Sequence, residues 1–351
     1  MIITNKGRVI VYGDIHGDYE LAILLLKKSK LINDNLDWIG GDTQLIQIGD
    51  LIDECRLPGR CGMVEIQNSS KTDLSLIFLF IDLNIKAQKC GGGVNILLGN
   101  HEILNIYGIF DYVTPRSNIE FLEFYKNPIK YDFINDEDIN IIKKYYDENK
   151  EKENVSILCR GHAFKPGNWL SKLMAKYFIP SLILGKWLFI HGSLTNEYIE
   201  IGIKKFNNII INWLNGEYDK EEEVLIRKYT MSPEVSPFWN RDMGKELKCD
   251  NIFLKQIGKL SFNLNNMNLN GVMVGHTPQY FIGNGLNSIC SNRIFRTDIG
   301  MSRGFNIVDK KYRQTKIRDE NRTPSFVEIN NNNDIKIKKI TSVNLDKINN
   351  I

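Results

Sequence analysis

The sequence predicts a layered α/β fold with an inserted helical subdomain, and three observations lead there. Five short apolar runs rich in β-branched residues each border a glycine and a polar residue able to bind a metal. The segments between them often have helical spacing, and strands alternating with helices pack in layers whose ligands sit just past the strand ends. A charged, Tyr- and Lys-rich stretch from Ile119 to Asn154 then interrupts the alternation.

Val9-Ile10-Val11-Tyr12 precedes Gly13-Asp14 as a first strand. Asp18, followed by Leu21, Leu24, Leu25 and the basic pair Lys27-Lys28, marks a capped amphipathic helix with cations at its carbonyl end. Leu45-Ile46-Gln47-Ile48 before Gly49-Asp50, and Val94-Asn95-Ile96-Leu97-Leu98 before Gly99-Asn100, are the next strands. Residues 103–180 form the helical insertion, in which Asp136-Glu137-Asp138 starts a helix favourably. Trp187-Leu188-Phe189-Ile190 runs into His191-Gly192, and Gly271-Val272-Met273-Val274 into Gly275-His276. The alternating run 334–340 closes the sheet as a last, edge strand. Residues 1–351 are read as one domain, with 320–351 a partly flexible C-terminal segment and the Asn run at 330–333 either compositional drift or a flexible turn rather than a functional element.

Composition narrows the function. Apolar residues make up 42% and charged ones 25%, and 45 Lys and Arg against 42 Asp and Glu leave a net charge of +3. That balance argues against nucleic acid or a membrane surface as partner. Apolar runs end in charge well before the ~20 residues of a membrane span, and no basic leader precedes a longer apolar stretch. The six cysteines are scattered without a Cys-x-x-Cys pair, which predicts reduced thiols and a cytoplasmic protein.

The histidines carry the chemistry. There are five, and four of them (His16, His101, His191, His276) fall in the glycine-flanked motifs, beside Asp14, Asp50 and Asn100 at equivalent strand ends. Imidazole and oxygen ligands without thiolate suit Mn, Fe, Zn or Co. Gly13-Asp14-Ile15-His16-Gly17, Gly49-Asp50-Leu51-Ile52-Asp53 and Gly99-Asn100-His101-Glu102 resemble the three N-terminal motifs of calcineurin-like metallophosphoesterases, and His191-Gly192 and Gly275-His276 resemble the two later ones. Phe164-Lys165-Pro166-Gly167, Pro237-Phe238-Trp239-Asn240-Arg241 and Arg296-Thr297-Asp298-Ile299-Gly300-Met301-Ser302 are similar to the phosphoprotein phosphatases of bacterial type, above all the Shewanella-like group. The resemblance covers about Arg8 to Asp309.

It implies a layered β-sandwich flanked by helices and two divalent metal ions, manganese foremost, with iron or zinc as alternatives. One metal would be held by Asp14, His16 and Asp50, the second by Asp50, Asn100, His191 and His276, with Asp50 bridging. It also implies hydrolysis of a phosphoprotein ester by a metal-bridging hydroxide, with His101 as general acid oriented by Asp53. A positioned acid is worth ~10²–10⁴-fold for a poor leaving group. The alternatives are a small-molecule phosphoesterase, such as a bis-nucleoside polyphosphate hydrolase, and an inactive phosphoprotein-binding scaffold.

Two positions depart from the family. An Arg normally follows the residue at Asp53; here Glu54 stands there, expected to repel phosphate, so Arg56 or Arg60 would have to reach back to it. Arg241 matches the second phosphate-binding Arg of the bacterial enzymes, and Ser193 replaces a glycine with little expected effect. His162 is expected to be structural, while Arg160 is left open between a phosphate contact and a surface charge. The Cys290-x5-Arg296 spacing mimics a cysteine phosphatase, but it has no glycine and leads into a strand-like segment. A zincin reading of His101-Glu102 fails because Asn105 occupies the place of the second His.

Overall fold

A computed structural model describes residues 1–3, 7–63, 71–313, 319–330 and 334–341. All five apolar runs are strands, and they are divided between two six-stranded sheets. In chain order the strands are β1 (Ile2–Ile3), β2 (Val9–Tyr12), β3 (Gln44–Gln47), β4 (Gly93–Leu97), β5 (Phe178–Ile179), β6 (Leu182–Leu184), β7 (Trp187–Phe189), β8 (Gly271–Val274), β9 (Asn287–Ile289), β10 (Ile294–Arg296), β11 (Ser325–Ile329) and β12 (Ile335–Lys339). One sheet runs β12-β11-β2-β3-β4-β5 and the other β1-β6-β7-β8-β10-β9.

Within each sheet the strands that carry motifs are parallel neighbours: β2 with β3, β3 with β4, and β7 with β8. Parallel neighbours place equivalent ends side by side, so residues following those strands gather on one edge of each sheet. The strands are buried along their length, as their near-continuous apolar character requires. The alternating run at the C-terminal end is the edge strand β12, antiparallel to β11; three of its five residues are lysines and four are exposed. Of the Asn run, residues 331–333 lie outside the described residues, as do 342–351 of the C-terminal segment.

The helices follow the sequence cues. In α1 (Tyr19–Lys28) the Asp18 carboxylate accepts from the Leu21 amide, with Lys27 and Lys28 in the last turn. Next come α2 (Asp73–Gln88) and α3 (Asn100–Ile106). Four more helices follow before β5: α4 (Pro115–Lys126), α5 (Asp136–Asn149), α6 (Val155–Phe164) and α7 (Trp169–Tyr177). The acidic first turn of α5 is capped by Asn135, whose side chain accepts from the Asp138 amide. Helix α2 lacks a cap from its own Thr72. Glu120 of α4 supplies one instead, accepting from the amides of Thr72, Leu74 and Ser75 at 2.8–3.1 Å.

The cysteine expectation is corrected. Cys55 pairs with Cys61 and Cys249 with Cys290, leaving Cys90 and Cys159 free. Spacing along the chain does not report such pairs, because the fold brings Cys249 and Cys290 together across 41 positions. The pairs also remove the ground on which a reducing, cytoplasmic setting was expected. Among the described residues no helix is long and apolar enough to cross a membrane.

Candidate active site

The motifs leave their strands in tight, strained turns. His16, Asp50, Asp53 and His276 all have left-handed backbone, with φ of 48°, 53°, 71° and 65°. Side chains other than glycine rarely adopt it, and it persists only where neighbours over-determine it. Here the amides of Ile15 and His16 donate to the Asp50 carbonyl at 3.0 and 2.9 Å. The Glu102 carboxylate in turn accepts from the amides of Gly99, Asp50 and Leu51 at 2.6–3.0 Å. Burial pushes the Glu102 carboxyl up to about 8 despite these donors. Two glycines are required for close approach: a Cβ on Gly99 would strike the Asp50 carboxylate, and one on Gly49 would sit 2.7 Å from His191 Nδ1.

The expected metal ligands converge, all buried. His16, Asp50 and His101 form one cluster and Asp50, His191 and His276 a second, each with its ligand atoms within 4.8 Å of one another. Asp50 is shared, as a bridging carboxylate must be. Asp14 Oδ2 lies 3.8 Å from His16 Nε2, so Asp14 adjoins the first cluster, which His101 enters in its place.

The donor set suits divalent cations. His191 donates its Nδ1 proton to the Ile48 carbonyl at 2.9 Å, which turns Nε2 toward Asn100 Oδ1 (3.0 Å) and Asp50 Oδ1 (3.3 Å). In the neutral imidazole those three atoms are all lone-pair donors. His276 donates from Nε2 to the Trp239 carbonyl at 2.9 Å and leaves a buried Nδ1 with no hydrogen-bond partner among the described residues. Fixing one imidazole nitrogen on a carbonyl so that the other faces the ion is the usual arrangement of a metal-binding histidine. Burial holds His16 and His276 well below the ordinary imidazole range, which keeps both rings neutral, as a metal-binding imidazole must be.

His101 Nδ1 lies 2.8 Å from Asp53 Oδ2. Behind this pair the structure reveals a network the sequence left open. Asn105 donates to both Asp53 oxygens at 2.9 and 3.1 Å. Arg160 is fully buried and bonds Asp53 Oδ1 (3.1 Å), Asp73 Oδ2 (2.7 Å), Asn105 Oδ1 (2.7 Å) and Ser117 Oγ (3.0 Å). Arg160 is therefore neither a surface charge nor a phosphate contact. His162 is stacked on Tyr145 and bonded to the Tyr125 hydroxyl at 2.7 Å, a structural place.

The expectation for Glu54 is also corrected. Its side chain turns inward, pairing with Arg116 and accepting from Thr114 Oγ1 at 2.9 Å, and burial pushes its carboxyl up to about 8. It cannot confront a phosphate from there. Two residues on, Arg56 enters the site, with Nη1 2.9 Å from both His16 Nδ1 and His101 Nε2. Arg60 is exposed at the loop surface. Arg241 donates to the His276 carbonyl. With Arg56, Asp50, His101 and His276 it lines a groove of 800 Å³ walled by Tyr112, Phe281, Ile282, Phe305 and Tyr312. Asp298 belongs to the Arg296–Ser302 motif. It is buried, with Oδ2 unpartnered among the described residues, and burial pushes its carboxyl up to about 6.

The Cys290–Arg296 decoy fails on geometry too: Cys290 is disulfide-bonded, and Arg296 is bonded to Asn287 and the Glu246 carbonyl.

The calcineurin-like phosphoesterase family model matches residues 7–280. The chain is 30% identical over 313 residues to Shewanella-like protein phosphatase 1 of Plasmodium berghei (strain Anka), covering 86% of this chain and 68% of that protein. It is 26% identical over 323 residues to Shewanella-like protein phosphatase 2 of Arabidopsis thaliana, covering 85% and 72%. Its fold matches the crystal structure of a cold-active protein-tyrosine phosphatase from a psychrophilic Shewanella species, with a TM-score of 0.58 at 18% identity, covering 96% and 81%. With its motif residues gathered at two sheet edges, the chain belongs to the calcineurin-like phosphoesterase family.

Proposed function

We propose that this protein is a metal-dependent phosphoprotein phosphatase whose site takes two divalent ions, manganese foremost. The observation that carries the reading is the double cluster sharing Asp50, with His101 and Asp53 beside it. Asp14, His16 and Asp50 would hold one ion, and Asp50, Asn100, His191 and His276 the other. When bound, such ions neutralise phosphate oxygens and lower the pKa of a coordinated water to near neutrality.

The chain's own groups do the rest. Arg56 and Arg241 bind and orient the phosphate oxygens from the groove side, and their positive charge offsets the dianion. His101 delivers a proton from Nε2 to the leaving oxygen while Asp53 fixes its orientation from Nδ1. No side-chain nucleophile is needed. Substrates are phosphorylated proteins, as the names of the relatives denote for those proteins. The aromatic walls favour a phosphotyrosine ring over a bare phosphoserine.

Hydrolysis of p-nitrophenyl phosphate with added Mn²⁺, abolished by Asp50→Asn, is the first test; no turnover with a full metal complement leaves the scaffold alternative. A panel of phosphotyrosine, phosphoserine and phosphothreonine peptides against dinucleoside polyphosphates then separates the protein phosphatase from a small-molecule hydrolase. His101→Asn should slow phenyl phosphate ~10²-fold or more while sparing substrates with acidic leaving groups.

A further inference from the structure

The position of Arg56 poses a physical question. Among the described residues its polar side-chain contacts are two imidazoles, which cannot neutralise it as a carboxylate would, and its Nε is buried with no partner there. The guanidinium is held between the rings of Tyr112 and Phe305, 5.4 and 5.2 Å from their centroids. This is a cation kept ready for an anion, and something other than an ion pair must hold it there. On its N-terminal side the chain is pinned: Glu54 pairs with Arg116, and the Cys55 amide donates to the Tyr112 carbonyl at 3.0 Å. On the other side, Leu57 is buried but Pro58, Gly59 and Arg60 are exposed, and the loop is closed back on itself by the Cys55–Cys61 bond.

We propose that the Cys55–Cys61 disulfide is the positioning element for Arg56, so that phosphate affinity depends on the covalent state of this pair. The inference rests on the phosphatase reading only in naming phosphate as the anion. With a dithiol reductant, two electrons and two protons pass to the sulfurs, the S–S bond breaks, and the reductant leaves as a cyclic disulfide. The loop of Cys55 to Cys61 then gains chain entropy, and Arg56 spends less time at the site. Closing a seven-residue loop is worth roughly 50-fold in an equilibrium constant, which is the ceiling on the effect. Because the guanidinium binds phosphate oxygens and moves no proton, the change falls on KM rather than kcat. The other pair, Cys249–Cys290, lies outside the residues that line the groove.

The test uses the full chain loaded with Mn²⁺, before and after tris(2-carboxyethyl)phosphine, which reduces the disulfide while taking oxygen from water to become the phosphine oxide. Kinetics with p-nitrophenyl phosphate and calorimetric binding of inorganic phosphate are both measured. Reduction should raise KM and the phosphate Kd about tenfold and change kcat by less than about threefold. Cys55→Ser/Cys61→Ser should match the reduced wild type and ignore the phosphine. Cys249→Ser/Cys290→Ser should respond to it as wild type does. Arg56→Ala should raise both constants and then be insensitive to reduction. The proposal is overturned if reduction weakens phosphate binding in Arg56→Ala as much as in wild type, or if the Cys55→Ser/Cys61→Ser protein binds phosphate like the oxidised enzyme. Should that variant not fold, reduction and reoxidation of the wild type decide by the same criteria. An oxidised enzyme that binds phosphate yet turns over no ester would overturn the phosphatase reading while leaving the disulfide to be judged by the binding arm.

Discussion

Replacing Arg160 with Met leaves two buried carboxylates, Asp53 and Asp73, without the cation that neutralises them. Removing one member of a buried ion cluster costs about 3–5 kcal/mol, because the remaining charges stay desolvated. Asp53 keeps Asn105 and His101, and Asp73 keeps the Ser117 hydroxyl at 2.6 Å, so the middle of that range, about 4 kcal/mol, is the expectation. For a chain of 351 residues, an unfolding entropy near 2.1 cal/mol/K per residue turns this into a Tm lowered by about 5 °C. Adding Asp73→Asn removes one uncompensated charge and should return about 1–3 kcal/mol of the loss. Calorimetry of wild type, both single variants and the double variant measures the coupling. A Tm within about 1 °C of wild type for Arg160→Met, or single-variant losses that simply add in the double, would refute the account of a charge-compensated network.

Three further outcomes are expected. Gly99→Ala drives a methyl group into the Asp50 carboxylate, so elemental analysis should show reduced metal content, with about 1–3 kcal/mol of stability lost on denaturation. Glu120→Ala strips the start of α2 of its borrowed cap and should cost about 1–2 kcal/mol in urea melts. His162 is held down to about 4, by burial and then by Lys165. A folded value below the unfolded 6.5 means the unfolded chain binds the extra proton, so this stability is present above pH 6.5 and lost as pH falls toward 4. Allowing for partial burial, about 2 kcal/mol should disappear between pH 7 and 4.5 in the wild type, and His162→Gln should lack that component. Equal acid sensitivity in the two proteins would count against it.

Much of the site was legible in the sequence because its information is local. A β-branched run ending in glycine and a ligand residue specifies a strand and the tight turn after it, as at Gly13-Asp14, Gly49-Asp50 and Gly99-Asn100. Helix starts such as Asp18 and the acidic run Asp136-Glu137-Asp138 act within one helical turn and were equally readable. The side-chain partners of Glu54, Arg56 and Arg160 were not, since those contacts join residues 40 or more positions apart, as Arg160 to Asp53 does across 107. Glu54 looked hostile to phosphate only because the sequence does not say which way a side chain turns. Arg116 and Thr114, brought up by the start of α4, decide that it turns inward.

Where the strands end, and which candidate ligands follow them, is legible along the chain because backbone sterics and side-chain periodicity act over a few residues. Tertiary structure alone decided which cysteines meet, which arginine reaches the site and which is spent holding Asp53. Those outcomes depend on the burial of distant charges against one another, and a buried charge takes whatever partner the packing of the two sheets and their helices brings within reach.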